Sequence, residues 1–191
     1  HFYETYWEKK PLLVKAAEQQ RDRLDGFLSL ASIREILKGD KLYYGKDLNV
    51  TNYQKGPDGV QRRITLDKLP TPDSLQEHVV ASDKDVWEHW EKGCTVRLLC
   101  PHKHFAPIHA LLSMLELEWG CMVGANAYLT PAKSSQGFAP HFDDIEAFCL
   151  QLEGRKRWKV YAPLSSGERL PRVSSADYTP ADLHDIEPMM D

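Results

Sequence analysis

His141 and Asp143 flank a single residue, Phe142, at the head of a long apolar run, PHFDDIEAFCLQLEG. In an extended strand, residues two apart point to the same face. An imidazole nitrogen and a carboxylate oxygen aimed together are two of the three donors in a 2-His-1-carboxylate triad. Such a triad holds non-haem Fe(II) and leaves positions open for substrates. A capped or surface His–Asp pair has the same spacing, so the spacing alone does not separate the two readings. Lys156 is the second residue of interest. Beyond Gly154, the alternate residues Lys156, Trp158, Val160 and Ala162 form a mostly apolar face, opposite Arg155, Arg157, Lys159 and Tyr161. An ammonium on an apolar face either snorkels to water or meets an anion, such as the carboxylate of a bound small acid.

Three further groups could line a site. Arg97 interrupts the apolar run CTVRLLC, where a buried guanidinium needs either an ion-pair partner or a substrate contact. Asn126 and Tyr128 share one face of MVGANAYL, as cavity-lining donors or as satisfied core groups. His102, His104 and His109 lie in a loop and the start of a helix without a carboxylate at ligand spacing, which favours solvated histidines over a second metal site. Cys94, Cys100, Cys121 and Cys149 form no Cys-x-x-Cys pair and read as mostly buried free thiols of a reducing compartment. Glycine-rich phosphate loops, nucleophile elbows and kinase signatures are absent.

The elements that must position these groups follow from the pattern. Residues 3–10 read as a short helix ended by Pro11, and 12–14 as a brief strand. Residues 19–27 read as helix or loop, and 32–37 as a helix with Ser32 as N-cap and Gly39 as stop. Strands are expected over 41–53 and 60–66, joined by the turn KGPDG. A helix over 74–93 puts Trp87 and Trp90 on one face. Residues 94–100 and 122–129 read as strands, with a helix over 108–119 between them. A Ser/Gly/Pro loop leads into the strand pair 141–153 and 155–162, and 165–191 shows no strand pattern. Helices first and hairpin-spaced strands later predict a mainly β fold, an antiparallel sandwich or barrel with flanking helices.

At 191 residues the chain suits one domain, and 42% hydrophobic with 27% charged residues is ordinary for a globular protein. A net charge of −4 gives no support to a direct nucleic-acid site. No run approaches the roughly 20 apolar residues that span a membrane. A start at His1 rather than Met suggests a piece excised from something longer.

Taken together, these residues resemble a known family. HFDDIEAFCLQLEGRK at 141–156 is similar to the His-x-Asp segment of the JmjC-type 2-oxoglutarate oxygenases. More narrowly it resembles their ribosomal oxygenase subgroup, and there the nucleolar histidyl-hydroxylase branch. YWEKKPLLV, YYGKDLNVT, TVRLLCP, MVGANAYLTPAKSSQGFAPH and LQLEGRKRWKVYAP look like that branch in the same order, covering essentially the whole chain. The resemblance implies a double-stranded β-helix (jelly-roll, cupin-like) core that binds Fe(II) and 2-oxoglutarate and consumes O2. It places residues 1–120 as a helical and strand flank and the jelly-roll strands from 121 onward. It makes His141 and Asp143 catalytic metal ligands and Lys156 the partner of the distal carboxylate of 2-oxoglutarate. Asn126 and Tyr128 would line the cosubstrate and substrate pocket, with Arg97 near the substrate. The implied reaction is hydroxylation of a protein side chain, foremost a histidine of a ribosomal protein. Histone lysine demethylation, with histone H3 as partner, and a non-catalytic binding module are the alternatives. The implied setting is the nucleus and nucleolus, without a membrane, in a homodimer.

One departure qualifies this expectation. The family's third ligand is a second histidine on a later strand, and the chain ends at Asp191 without such a segment. His184, in ADLHDIEPMMD, lies in a polar loop and is a poor candidate. The jelly roll is therefore expected to be incomplete at its C-terminal end, without the dimerisation and winged-helix regions, and inactive alone. The loop at 132–136 reads as slightly longer than usual.

Overall fold

The computed structural model describes residues 1–15, 24–39, 41–132 and 135–191, in two compact units, one of 24–139 and one of 1–23 with 140–191. Most of the 19–27 segment and two of the five residues of the 132–136 loop therefore lie outside the described residues.

The 24–139 unit is built on four antiparallel strands in the order β2-β1-β3-β4: β1 Leu48–Lys55, β2 Gln61–Thr65, β3 Thr95–Leu99 and β4 Asn126–Leu129. The KGPDG turn closes the β1–β2 hairpin as expected. Gly59 adopts φ +79 there, a left-handed conformation that glycine takes without a Cβ clash. Strand alternation gives the sheet one apolar and one polar face. Leu48, Val50, Val96 and Leu98 point into the core, each at most 1% exposed, and Ala127 and Leu129 pack against it. Complete burial of each large side chain contributes about 1.5–3 kcal/mol.

Helices α2 Leu30–Gly39 and α3 Asp83–Glu91 supply the rest of that core through Ile33, Leu37, Val86 and Trp87. Helix α2 begins earlier than the sequence suggests, because Ser29 rather than Ser32 caps it. Ser29 Oγ accepts from the Ser32 amide at 3.1 Å, and Ser32 Oγ accepts from the Ser29 amide at 2.9 Å. This reciprocal exchange satisfies two N-terminal donors. Helix α3 is shorter than the expected 74–93, starting only where Ser82 accepts from the Asp85 amide. Trp87 and Trp90 do meet on one face, edge to face at 5.8 Å. Helix α4, Ala106–Trp119, ends at Gly120 as expected. The β-sheet with flanking helices is the fold class read from the sequence.

The second unit departs from that reading. It contains the short helix α1 Phe2–Thr5, whose Phe2 and the nearby Trp7 stand 6.5 and 6.3 Å from the Phe148 ring. Residues 12–14 form no strand, nor do 141–153 and 155–162. A strand is held by a continuous ladder to a neighbour, and here the ladder is reduced to scattered rungs. Ser175 N donates to Phe142 O, Tyr178 N to Pro140 O, and Val160 exchanges both bonds with Met190. With no strand beside them, Ile145, Phe148, Leu150 and Trp158 stay exposed. Among the described residues no helix is long and apolar enough to cross a membrane.

Candidate functional site

In the unit formed by 1–23 and 140–191, His141 and Asp143 converge although no strand holds them. His141 Nε2 lies 4.0 Å from Asp143 Oδ2. Two metal–donor bonds of roughly 2.1 Å at the near-right angle of a facial triad would bring the donors to about 3 Å, so the pair stands about 1 Å wider than a bound metal would hold it. Phe142 anchors the segment from both sides: its amide donates to Ser175 Oγ at 3.0 Å and its carbonyl accepts from Ser175 N at 2.9 Å. Its ring stands 6.4 Å from that of Tyr178. Ser174 Oγ donates to Asp144 at 2.8 Å, so the segment 174–178 clamps both sides of the pair. Among the described residues no three His, Cys, Asp or Glu side chains gather as a metal site, so the donor set stands at two. His184 is turned to its neighbour Asp185, 2.7 Å away, and is highly exposed.

Lys156 keeps the expected relation to Trp158, its Nζ lying 5.2 Å from the ring centroid. Crowding around the ammonium pushes its pKa below the usual lysine value, opposed by the Cys149 thiol nearby. The residue as a whole is solvent-accessible, which carries more weight, so the ammonium remains charged at neutral pH. Local crowding out of water pushes the Cys149 thiol up, opposed by the Lys156 ammonium. Of the four cysteines, all free, only Cys94 is buried, so the mostly buried thiols expected from the sequence reduce to one.

In the 24–139 unit, the polar face of the sheet brings Arg97, Asn126 and Tyr128 together. Arg97 pairs across the ladder with Tyr128 on one side and Asn49 on the other, and Leu99 pairs with Asn126. Asn126 and Tyr128 lie on the exposed face, whereas Ala127 and Leu129 turn to the core, so the pair is not inward-facing. Among the described residues Arg97 makes no direct ion pair, the first of the two partners open to it from sequence. Its Nε and Nη2 donate to Asn49 Oδ1 at 3.0 and 2.5 Å, and Asn49 Nδ2 donates to Asp67 Oδ2 at 2.6 Å. Asp67 Oδ1 also accepts from the Val50 amide at 2.7 Å, extending the β1–β2 ladder with a side chain.

Phe138 completes this surface. Its ring meets Tyr128 edge to face at 5.3 Å, with the Arg97 and Arg63 guanidinium carbons 5.3 and 5.6 Å from its centroid. The segment is held down where Tyr53 N donates to Gln136 O at 2.8 Å and where Gly137 packs on Thr51 and Thr95. Asn49, Asp67 and Phe138 were missed from sequence. The signal that could have found Asn49 is its place on an apolar strand two residues from Thr51, on the face of Arg97. His102, His104 and His109 form no metal cluster. A cleft of about 320 Å³ bounded by Tyr44, Asp67, Lys68, Glu77 and His78 contains none of the residues selected from sequence.

With this geometry in place, the family can be assigned. Residues 98–191 match the JmjC domain, and the chain belongs to the JmjC-domain proteins. Within them it falls in the ribosomal oxygenase subgroup. It is 41% identical over 190 residues to ribosomal oxygenase 1 of Danio rerio, covering 100% of this chain and 31% of that protein. It is 40% identical over 182 residues to the bifunctional lysine-specific demethylase and histidyl-hydroxylase NO66 of Aedes aegypti, covering 95% of this chain and 26% of that protein. Human ribosomal oxygenase 1 is 38% identical over 183 residues, covering 96% and 26%. The chain therefore spans between a quarter and a third of the length of these relatives.

Proposed function

We propose that this chain is part of an Fe(II)- and 2-oxoglutarate-dependent oxygenase that hydroxylates a protein side chain, foremost a histidine of a ribosomal protein. The observation that carries the reading is the convergence of His141 and Asp143 within the matched JmjC residues. Their donor chemistry suits Fe(II), and the two supply the imidazole and the carboxylate of a facial triad. Bound Fe(II) and 2-oxoglutarate would supply O2 reduction coupled to decarboxylation of the cosubstrate and oxygen insertion into a C–H bond.

The chain's own residues bind and orient. His141 and Asp143 would hold the metal, and the 174–178 segment holds the Phe142 backbone between them and the Asp144 side chain beside them. Lys156 offers a charged donor to the distal carboxylate of 2-oxoglutarate, an interaction stronger than a neutral hydrogen bond. Asn126 and Tyr128 offer an amide and a phenol to cosubstrate and peptide, and Arg97 a guanidinium edge to the peptide. The domain reading remains that of an N-terminal and central JmjC part whose jelly roll is completed elsewhere in the parent. The parent would act as a homodimer in the nucleus and nucleolus.

A second reading is lysine demethylation, with histone H3 as substrate. It is favoured by the double activity in the name of the Aedes relative, since hydroxylation of an N-methyl group releases the methyl carbon. The two-donor set favours a third, a non-catalytic binding module. Mass spectrometry of a histidine-containing ribosomal peptide, incubated with the full-length protein, Fe(II) and 2-oxoglutarate, separates these. A gain of one oxygen that disappears with His141→Ala is expected. No turnover by the iron-loaded protein would sink the proposal.

A further inference from the structure

We infer that Asn49 and Asp67 are positioning residues that orient Arg97 toward a carbonyl or carboxylate oxygen of the peptide substrate. The inference rests on the substrate role proposed above for Arg97. Among the described residues, the partners of Arg97 are the Asn49 side chain and the Phe138 ring, and neither carries a negative charge. A half-buried guanidinium normally meets a carboxylate, because removing it from water is costly without one. Here the nearest link to a carboxylate is indirect. Asp67 receives Asn49 Nδ2, and this fixes the amide with its oxygen toward Arg97. Asn49 is itself buried and held in register opposite Arg97 of β3, so the relay has little freedom.

The geometry leaves one side of Arg97 uncommitted. Asn49 engages the Nε and Nη2 edge, and the guanidinium carbon lies 5.3 Å from the Phe138 ring centroid. A guanidinium has five donors in a rigid fork, so fixing one edge sets the direction of the rest. Among the described residues no hydrogen-bond partner takes Nη1, and on the sheet face that Arg97 shares with Tyr128 it is left for an acceptor oxygen. Pre-orientation of this kind lowers the ordering cost of binding.

The test uses the full-length protein in two arms. In crystals of the Asn49→Leu variant, the Arg97 guanidinium is expected to leave its position over Phe138, and an unchanged position overturns the inference. In turnover with a histidine-containing ribosomal peptide, Asn49→Leu is expected to raise the peptide KM on the order of tenfold, more than it lowers kcat. Asp67→Asn, which preserves shape, is expected to give a smaller rise and decides the matter if Asn49→Leu does not fold. In an Arg97→Ala background the Asn49 substitution is expected to add nothing, whereas additive losses would show a merely structural role and overturn the inference. If the wild-type protein turns over no peptide, the proposed function fails, while the crystals still decide whether Asn49 places Arg97.

Discussion

Gly137 is the position where a single methyl group would do most damage to the polar face of the sheet. A Cβ built there would collide with Thr95 Cβ, and would approach Thr95 Oγ1 to 2.5 Å and Thr51 Oγ1 to 2.8 Å. Ordinary contacts between such atoms lie near 3.5 Å, so the overlap is roughly 0.7–1.3 Å, greatest at Thr95 Cβ. The threonines cannot yield cheaply, since they sit on adjacent core strands and are 1% and 2% exposed. Holding the segment in place therefore costs about 1–3 kcal/mol in overpacking. Lifting it instead sacrifices the Tyr53 N–Gln136 O bond, about 1 kcal/mol, and the Phe138–Tyr128 contact, about 0.5–1.5 kcal/mol. Both routes lead to a loss of about 2 kcal/mol for Gly137→Ala. Hydrogen exchange of the Tyr53 amide reads the lifting directly, with an expected acceleration on the order of tenfold or more. Gly39→Ala is the control: nothing lies within 4 Å of the added methyl, and replacing a helical glycine stabilises by about 0.5–1 kcal/mol. Wild-type protection at Tyr53 together with an unshifted urea midpoint in Gly137→Ala would refute the reasoning.

Two further predictions concern ionisation. Tyr44 is buried, and its pKa is pushed up to about 12 by that burial and then by Asp85 and Asp67. Its folded pKa exceeds the unfolded one, so its contribution is intact below pH 10 and lost as pH climbs from about 10 to 12. The loss is at most about 3 kcal/mol, and the comparison of urea midpoints at pH 9 and 11.5 should show a shallower decline for Tyr44→Phe; equal declines would exclude Tyr44 as the source. For Lys156, replacement by Met should raise the KM for 2-oxoglutarate roughly 10- to 100-fold, the weight of a charged hydrogen bond. Because crowding lowers the Lys156 pKa, the wild-type KM should begin to climb at a lower alkaline pH than an ordinary lysine would give, and a flat profile in steady-state kinetics would refute the anchoring role.

Local chemistry made much of the larger unit legible in advance. The KGPDG turn, the apolar run at 94–100 and the Gly120 stop each act within a few residues, and each produced its element. The strands expected over 141–162 did not form, because strand character requires a partner that alternation in one segment cannot supply. The same limit applies to orientation. Alternation put Asn126 and Tyr128 on one face correctly, but only the packing of Ala127 and Leu129 against the core decided that this face is the open one.

The His-x-Asp pair illustrates the division most clearly. The sequence by itself determined the donor types, their spacing and the family, because the ordered motifs need no coordinates to be compared. It also placed Lys156 beside Trp158, a relation of two residues. Only tertiary structure decided what holds these groups. Ser174 and Ser175 reach the His141–Asp143 segment from about thirty residues away, and Asn49 reaches Arg97 across 48 positions and Asp67 across 18. Such contacts depend on chain reversals and strand register, and these are set by burial of the whole core rather than by any local pattern.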